Sequence, residues 1–283
     1  MQPILSLSAG PDGRTGLHVD LGNFEAPMKA ALHRAAIFLG YAYHSSEIAP
    51  LASIGLKAAI ELDVGVPDPI AEIERKAYQA EFTRWSIGQG LIEIDQSYHR
   101  FVTSALDTIS EIDAFLTSGV LPNGRKPNLS NTWKVHEQFY AAVGQKATQH
   151  DEESECLRSL GNARNCLAHD SGLVTERRLT DGPTMPVKWN GRELILITAN
   201  GERRVLPRDR GHFVRPDEVG LELRIEEVLR ERLYIAGDRV TFSQTDLSEI
   251  IFFYQHLAMQ VGAEMHRQVV VRLGSATHPH ANN

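Results

Sequence analysis

Apolar residues recur at helical spacing along much of the chain, most clearly from Leu91 onward. Leu91, Ile94, Tyr98, Val102, Ala105, Ile109, Ile112 and Leu116 step by 3, 4, 4, 3, 4, 3 and 4, which places them on one face of a helix of about seven turns. Ile73, Ala77, Ala80 and Arg84-Trp85 extend that pattern upstream, and Gly88 and Gly90 predict either a kink or close packing. Gly119 and the Pro122-Asn123-Gly124 turn predict its end. Before it, residues 1–24 are rich in Gly and Ser without a period, which predicts a loop or irregular arm. Residues 26–64 carry helical spacing interrupted at Gly40 and Pro50, predicting two or more helices. Pro67 and Pro69 mark a junction, with Asp68 available as an N-cap for the next helix.

A further helix is predicted over 132–145 and another from Asp151, whose acidic Asp151-Glu152-Glu153 run suits a positive helix N-terminus. After Gly172 the pattern changes. Asn190-Gly191 and Asn200-Gly201 are hairpin dipeptides flanking the β-rich run Leu194 to Thr198, so a three-strand meander is predicted over 186–206. A second strand pair is expected at Leu233-Tyr234-Ile235 and Val240-Thr241-Phe242, turning at Gly237-Asp238. Asp246 with Glu249 makes a capping-box-like start to a last helix with the face Leu247, Ile250, Ile251, Tyr254, Leu257, Ala258, Val261 and Met265. The fold class is therefore mainly α with an α+β character: an antiparallel helical bundle with a small β-hairpin or meander insertion before its last long helix. The segments are an N-terminal arm with accessory helices (1–66), a helical core (67–175), a β-rich insertion (176–243), a closing helix (244–272) and a disordered tail (273–283).

Composition narrows the class. With 42% hydrophobic and 23% charged residues, the 283-residue chain can build a full core. Its longest apolar runs, Ala35 to Leu39 and Ile250 to Tyr254, are too short to span a bilayer, and no secretory leader is legible, so a cytoplasmic location is expected. Two cysteines, Cys156 and Cys166, make neither a disulfide framework nor a zinc pattern. The net charge of −7 argues against a protein that coats nucleic acid. Residues 171–240 are an exception, with 13 Lys/Arg against 12 Asp/Glu; a solvated surface is the plain account of those arginines.

The stretch Ser159 to Gly172 is where chemistry concentrates. Projected at 100° per residue, Cys156, Leu160, Ala163 and Leu167 form a core stripe, whereas Arg158, Asn162, Asn165 and His169 form a polar stripe opposite. Arg164 lies about 40° from Leu160, at the edge of the apolar arc, where a guanidinium must snorkel or find a partner. Arg164-Asn165-Cys166-Leu167-Ala168-His169, closing on Gly172 at a helix end, resembles the Arg-X4–6-His motif of HEPN domains. The Glu81-Phe82-Thr83-Arg84-Trp85 helix and its apolar repeats resemble the first helix of that family, so the resemblance covers about residues 70–175 and the last helix.

The resemblance implies a metal-independent endoribonuclease, in which the RNA 2′-hydroxyl attacks its own phosphate. It implies catalytic roles for Arg164, Asn165 and His169, with Arg158 and Asn162 as RNA contacts, and neither metal nor cofactor. Histidine suits the proton transfers and arginine the phosphoryl oxygens. The resemblance also implies a homodimer, an RNA substrate such as tRNA, and a toxin or anti-phage role with a possible antitoxin partner. Arg164 and His169 stand about 140° apart on a regular helix. Converging on one substrate therefore requires a loosened helix end, a wrapped arginine or a second subunit. Two alternatives stay open. One is a non-catalytic HEPN module that dimerises or binds a nucleotide, RNA or protein, with Arg164 in a salt bridge and His169 favouring the helix C-terminus. The other makes the insertion a recognition element. No His-Glu-x-x-His pattern or glycine-rich phosphate loop is present, and Trp85, Trp133 and Trp189 are expected to be core or packing residues and not stacking platforms.

Overall fold

The computed structural model describes residues 5–9, 15–45, 56–57, 63–64, 71–120, 131–179, 182–198, 200–206 and 222–276. Its described helices are α1 (Leu21–Ser45), α2 (Glu72–Ser118), α3 (Thr132–Ala142), α4 (Asp151–His169) and α5 (Gln244–Ala276). Its strands are β1 (Leu5–Ala9), β2 (Thr15–Val19), β3 (Leu56–Lys57), β4 (Asp63–Val64), β5 (Met185–Ile197), β6 (Arg203–Val205) and β7 (Glu222–Tyr234). The chain is mainly helical, with a small antiparallel sheet of order β6-β5-β7 inserted before the last helix. None of the described helices is long and apolar enough to cross a membrane.

Helix α2 is the axis: α1, α3, α4 and α5 all pack on it. Seven of its eight predicted face residues, Leu91 to Ile112, are buried, and Leu116 is half-exposed near the helix end. The helix runs unbroken through Gly88 and Gly90, and these glycines serve close packing. A Cβ at Gly88 would stand 3.1 Å from Leu167 Cβ, and one at Gly90 would stand 2.6 Å from Leu39 Cδ2. Upstream the expectation fails: Ile73, Ala77, Ala80 and Trp85 are exposed. Periodicity marks a face, but burial requires another element to cover it.

Other expectations are corrected as well. The arm predicted over 1–24 contains the antiparallel hairpin β1-β2, with Leu5 opposite Val19, and α1 begins at Leu21. Gly40 lies inside α1 and does not end it, while the apolar residues near Val64 belong to the short β3-β4 pair. Pro50, Asp68 and the turn at 122–124 lie outside the described residues. Helix α5 extends to Ala276, beyond the expected boundary at 272. Its predicted face is buried or half-buried throughout. Its cap is Ser243: Asp246 Oδ2 accepts from the Ser243 N–H at 2.7 Å and Ser243 Oγ accepts from the Asp246 N–H at 3.1 Å. Asp246 is thus the third residue of a capping box, and Glu249 does other work.

That work explains the largest difference. Asn190-Gly191 is not a turn but the middle of β5, which pairs with β7 along thirteen residues, Gly191 opposite Val228. Glu249 reaches across from α5, where Oε2 accepts from buried Trp189 Nε1 at 3.0 Å, and Arg230 Nη2 lies 3.4 Å from Oε1. A Cβ on residue 191 would sit 2.6 Å from Glu249 Oε2, so glycine is needed for this approach. Only the second dipeptide turns, with Gly201 at φ 79° between β5 and β6. Leu233-Tyr234 ends β7, and Val240-Thr241-Phe242 forms no strand. Met185, Val187, Trp189 and Tyr234 join the helical core, so the sheet and bundle share one apolar interior. The arginines of this region face carboxylates: Arg203 meets Glu226, Arg230 meets Glu193, and Arg232 meets Asp246.

Candidate functional site

Helix α4 separates into the two stripes expected of it. Cys156, Leu160, Ala163 and Leu167 are buried, while Arg158 and His169 are exposed and Asn162 and Asn165 half-buried. Its C-terminus is firmly closed. Gly172 N–H and Asp170 N–H both donate to Cys166 O, at 2.8 and 3.0 Å, and Val240 N–H donates to Gly172 O at 2.8 Å. Ser171 and Gly172 have φ of 51° and 79°, a left-handed pair in which glycine carries no Cβ strain. Arg178 Nε and Nη2 hold the Asp170 carboxylate at 3.0 and 2.8 Å, and Arg177 adds a further contact. These hydrogen bonds, led by Arg178, hold the Asp170 carboxyl below the usual carboxylate range. The helix is regular through His169, so no loosened end carries this histidine round to Arg164.

Arg164 goes the other way. Its Nη1 lies 3.1 Å from Asp95 Oδ2 on α2, and Asp95 Oδ1 accepts from Tyr254 Oη of α5 at 3.1 Å. Asp95 is only 4% exposed, so one carboxylate ties three helices together in the interior. Burial, and then the adjacent Asp95 charge, push the Tyr254 hydroxyl well above its ordinary pKa, which keeps it a donor. Arg164 Nε is buried and makes no hydrogen bond. Asp95 has its own sequence signal: it lies roughly 40° from Leu91 and 60° from Tyr98, a charge on an apolar arc. Two opposite charges placed in this way on neighbouring helices are expected to meet.

Around this pair, α2, α4 and the start of α3 enclose a polar cleft of about 350 Å³. Arg158, Asn162, Arg164 and Asn165 line it from α4, Asp95, Gln96, His99 and Arg100 from α2, and Asn131 to Trp133 from the start of α3. Four of the five residues singled out from sequence are therefore brought together. His169 is not: it stands exposed one turn beyond Asn165 and does not line the cleft. Three arginines face one carboxylate here, and the N-terminal end of α3 adds positive potential. Trp133 is half-buried at the cleft, Trp189 is in the core, and Trp85 is exposed, outside the core and stacked on Phe82. The two cysteines are buried and free, and burial pushes the Cys156 thiol up to about 12, which removes it from nucleophilic chemistry at neutral pH.

His99 is the cleft residue that sequence pattern did not isolate, because its place beside Arg158 and Arg164 depends on how α2 docks on α4. Burial lowers its pKa, Arg100 and Arg164 lower it further, and Asp95 opposes them. The ring is held neutral at neutral pH. A histidine with a depressed folded pKa takes up its proton more readily when unfolded, so its contribution to stability falls as pH drops below about 6.5. His99→Gln is expected to lessen the acid-induced loss of stability between pH 7.5 and 5, read as urea midpoints. An unchanged pH profile would contradict this account of the ring.

Comparison with family models, curated proteins and solved structures finds no match.

Proposed function

We propose that this chain is an endoribonuclease of the HEPN type that binds RNA phosphates in the α2/α4 cleft and cuts without a metal ion at the reacting centre. One observation carries the reading. In a chain of net charge −7, the cleft gathers Arg100, Arg158 and Arg164 against the single carboxylate of Asp95. Such a local basic cleft is what a selective phosphate contact needs, and its charge is placed where Asn162 and Asn165 can hydrogen-bond the backbone or a base.

The reaction forms an O2′–P bond while the P–O5′ bond breaks. One proton must leave the 2′-hydroxyl and another must reach the 5′-oxygen. In this reading neutral His99 of α2 accepts the first, and His169, at the end of the polar stripe of α4, donates the second. Arg158 and the remaining N–H groups of Arg164 stabilise the dianionic phosphorane. Since His169 lies outside the cleft of its own chain, a second copy with apposed α4 faces is part of the proposal. The toxin or anti-phage role, a tRNA substrate and an antitoxin partner follow from the family resemblance alone. The pairing of Arg164 with Asp95 favours the second reading, an RNA- or nucleotide-binding module without catalysis.

Purified protein is tested on tRNA and other structured RNA in EDTA, below the melting temperature of the chelator-treated chain. Expected are fragments ending in 2′,3′-cyclic phosphate. Arg158→Ala should weaken RNA binding and reduce the slope of its salt dependence by about one. Cleavage that needs Mg²⁺, or that leaves 3′-hydroxyl ends, would sink the mechanism. Salt-sensitive RNA binding with no cleavage would select the binding module.

A further inference from the structure

Behind the α3 side of the cleft, His136, His150 and Glu153 come together. They share no sequence motif, because His136 lies in mid-α3 while His150 and Glu153 sit one turn apart at the start of α4. Glu153 Oε2 lies 3.4 Å from His136 Nε2 and 2.7 Å from His150 Nδ1. The ligating atoms of all three fall within 4.8 Å of one another.

The outer nitrogens of both rings are already engaged. Tyr98 Oη is 2.7 Å from His136 Nδ1, and Gln145 Oε1 is 2.8 Å from His150 Nε2. Gln145 Oε1 accepts, so the His150 proton is on Nε2, and in the neutral ring Nδ1 turns its lone pair towards the Glu153 carboxylate. Two acceptor atoms that close together need a proton or a metal ion between them, and of the two only a metal ion would also engage His136 Nε2. His136 is fully buried, and its Nε2, facing Glu153, makes no hydrogen bond. Tyr140 stacks on His150 with ring centres 3.5 Å apart and meets His136 edge-on at 4.9 Å, which fixes both ring planes.

We propose that His136 Nε2, His150 Nδ1 and the Glu153 carboxylate bind one divalent transition-metal ion of the zinc class. Two imidazoles and a carboxylate suit Zn²⁺ or Co²⁺ and not Mg²⁺ or Ca²⁺, which take oxygen ligands. Tetrahedral bonds of about 2.0–2.1 Å set donors roughly 3.4 Å apart, within the spread of these atoms. A fourth position is left for water or a small anion. Tyr98 and Gln145 act as the outer partners that orient metal-bound imidazoles. The ion would clamp α3 to α4 directly behind the cleft wall, since Tyr98 precedes His99 and Leu157, one turn after Glu153, lines the cleft. The site stands apart from the nuclease reading, and either can fail without the other.

The test uses the full chain, free of any affinity tag and stripped with chelator, titrated with Co²⁺ and then Zn²⁺. Expected are one Co²⁺ per chain with visible ligand-field bands, displacement by one Zn²⁺, and a Tm raised by at least about 3 °C at saturating zinc. Tyr98→Phe keeps all three ligands and should weaken binding about 10- to 100-fold. Glu153→Gln should abolish the Co²⁺ bands at the same concentrations. Absence of the bands in the wild-type chain overturns the proposal. So does binding that Glu153→Gln leaves intact, which would assign the ion to other histidines such as His278 and His280. Should Glu153→Gln fail to fold, the wild-type titration and Tyr98→Phe decide by the same criteria.

Discussion

Asp95→Ala is expected to lower the unfolding free energy by about 3–5 kcal/mol, the cost of leaving one member of a buried ion pair without its partner. Arg164 would keep its charge at the junction of α2, α4 and α5 with only the open side of the cleft to hydrate it. Tyr254 would lose its acceptor in a site where burial keeps the hydroxyl protonated. In a chain of this size such a loss corresponds to a Tm drop of roughly 10 °C. Asp95→Asn should cost less, because the amide oxygen can still accept from Tyr254 Oη or the guanidinium. Replacing both charges, Asp95→Leu with Arg164→Met, should recover most of the loss, since an apolar pair of similar volume has no desolvation penalty. Urea unfolding of the three variants checks the series. If Asp95→Ala falls within about 0.5 kcal/mol of wild type, the pair is not the tie that its geometry indicates.

His169→Ala is expected to separate chemistry from folding. On the proposed mechanism, removing this proton donor should lower RNA cleavage by about 10²- to 10⁴-fold. The unfolding midpoint should stay within about 0.5 kcal/mol of wild type, because the side chain is exposed beyond a helix end held by backbone bonds to Cys166 O and Gly172 O. Arg164→Ala should instead lower both quantities, as it removes the proposed phosphate contact and strands Asp95 in the interior. The contrast is the useful readout, since a merely structural role for His169 moves stability and leaves the rate alone. Cleavage by His169→Ala at the wild-type rate would remove this residue from the mechanism and leave His99 as the histidine to test.

Much of the fold is legible from local pattern. The α2 face from Leu91 to Ile112, the two stripes of α4, the closing turn at Gly172 and the α5 face from Leu247 to Met265 all follow from helical periodicity and helix-end chemistry. Misreadings fall where a residue answers to a distant neighbour. Gly191 looks like the second half of a hairpin turn because Asn-Gly is so often one; here it leaves room for Glu249, fifty-eight residues later in the chain. Gly88 and Gly90 look like weak points in α2 until Leu167 and Leu39 are seen against them. Trp85 and Ile73 continue an apolar repeat that nothing buries.

The site divides in the same manner. Spacing along one helix groups Arg158, Asn162, Asn165 and His169, and the roles of all five site residues follow from the resemblance of the Arg164–His169 stretch. The position of Arg164 at the edge of the apolar arc requires it to snorkel or find a partner. Sequence alone therefore determined the bundle of helices with its β insertion, the polar stripe of α4 and an arginine at the apolar edge that must snorkel or find a partner. Only the tertiary structure decided that the counter-charge is Asp95, that His99 and Arg100 share the cleft while His169 stands outside it, and that His136 meets His150 and Glu153. The reason is physical. Periodicity and capping act within a few residues along the backbone, whereas charge pairing, desolvation and ligand geometry depend on distances between helices, which are set by the packing of the whole core.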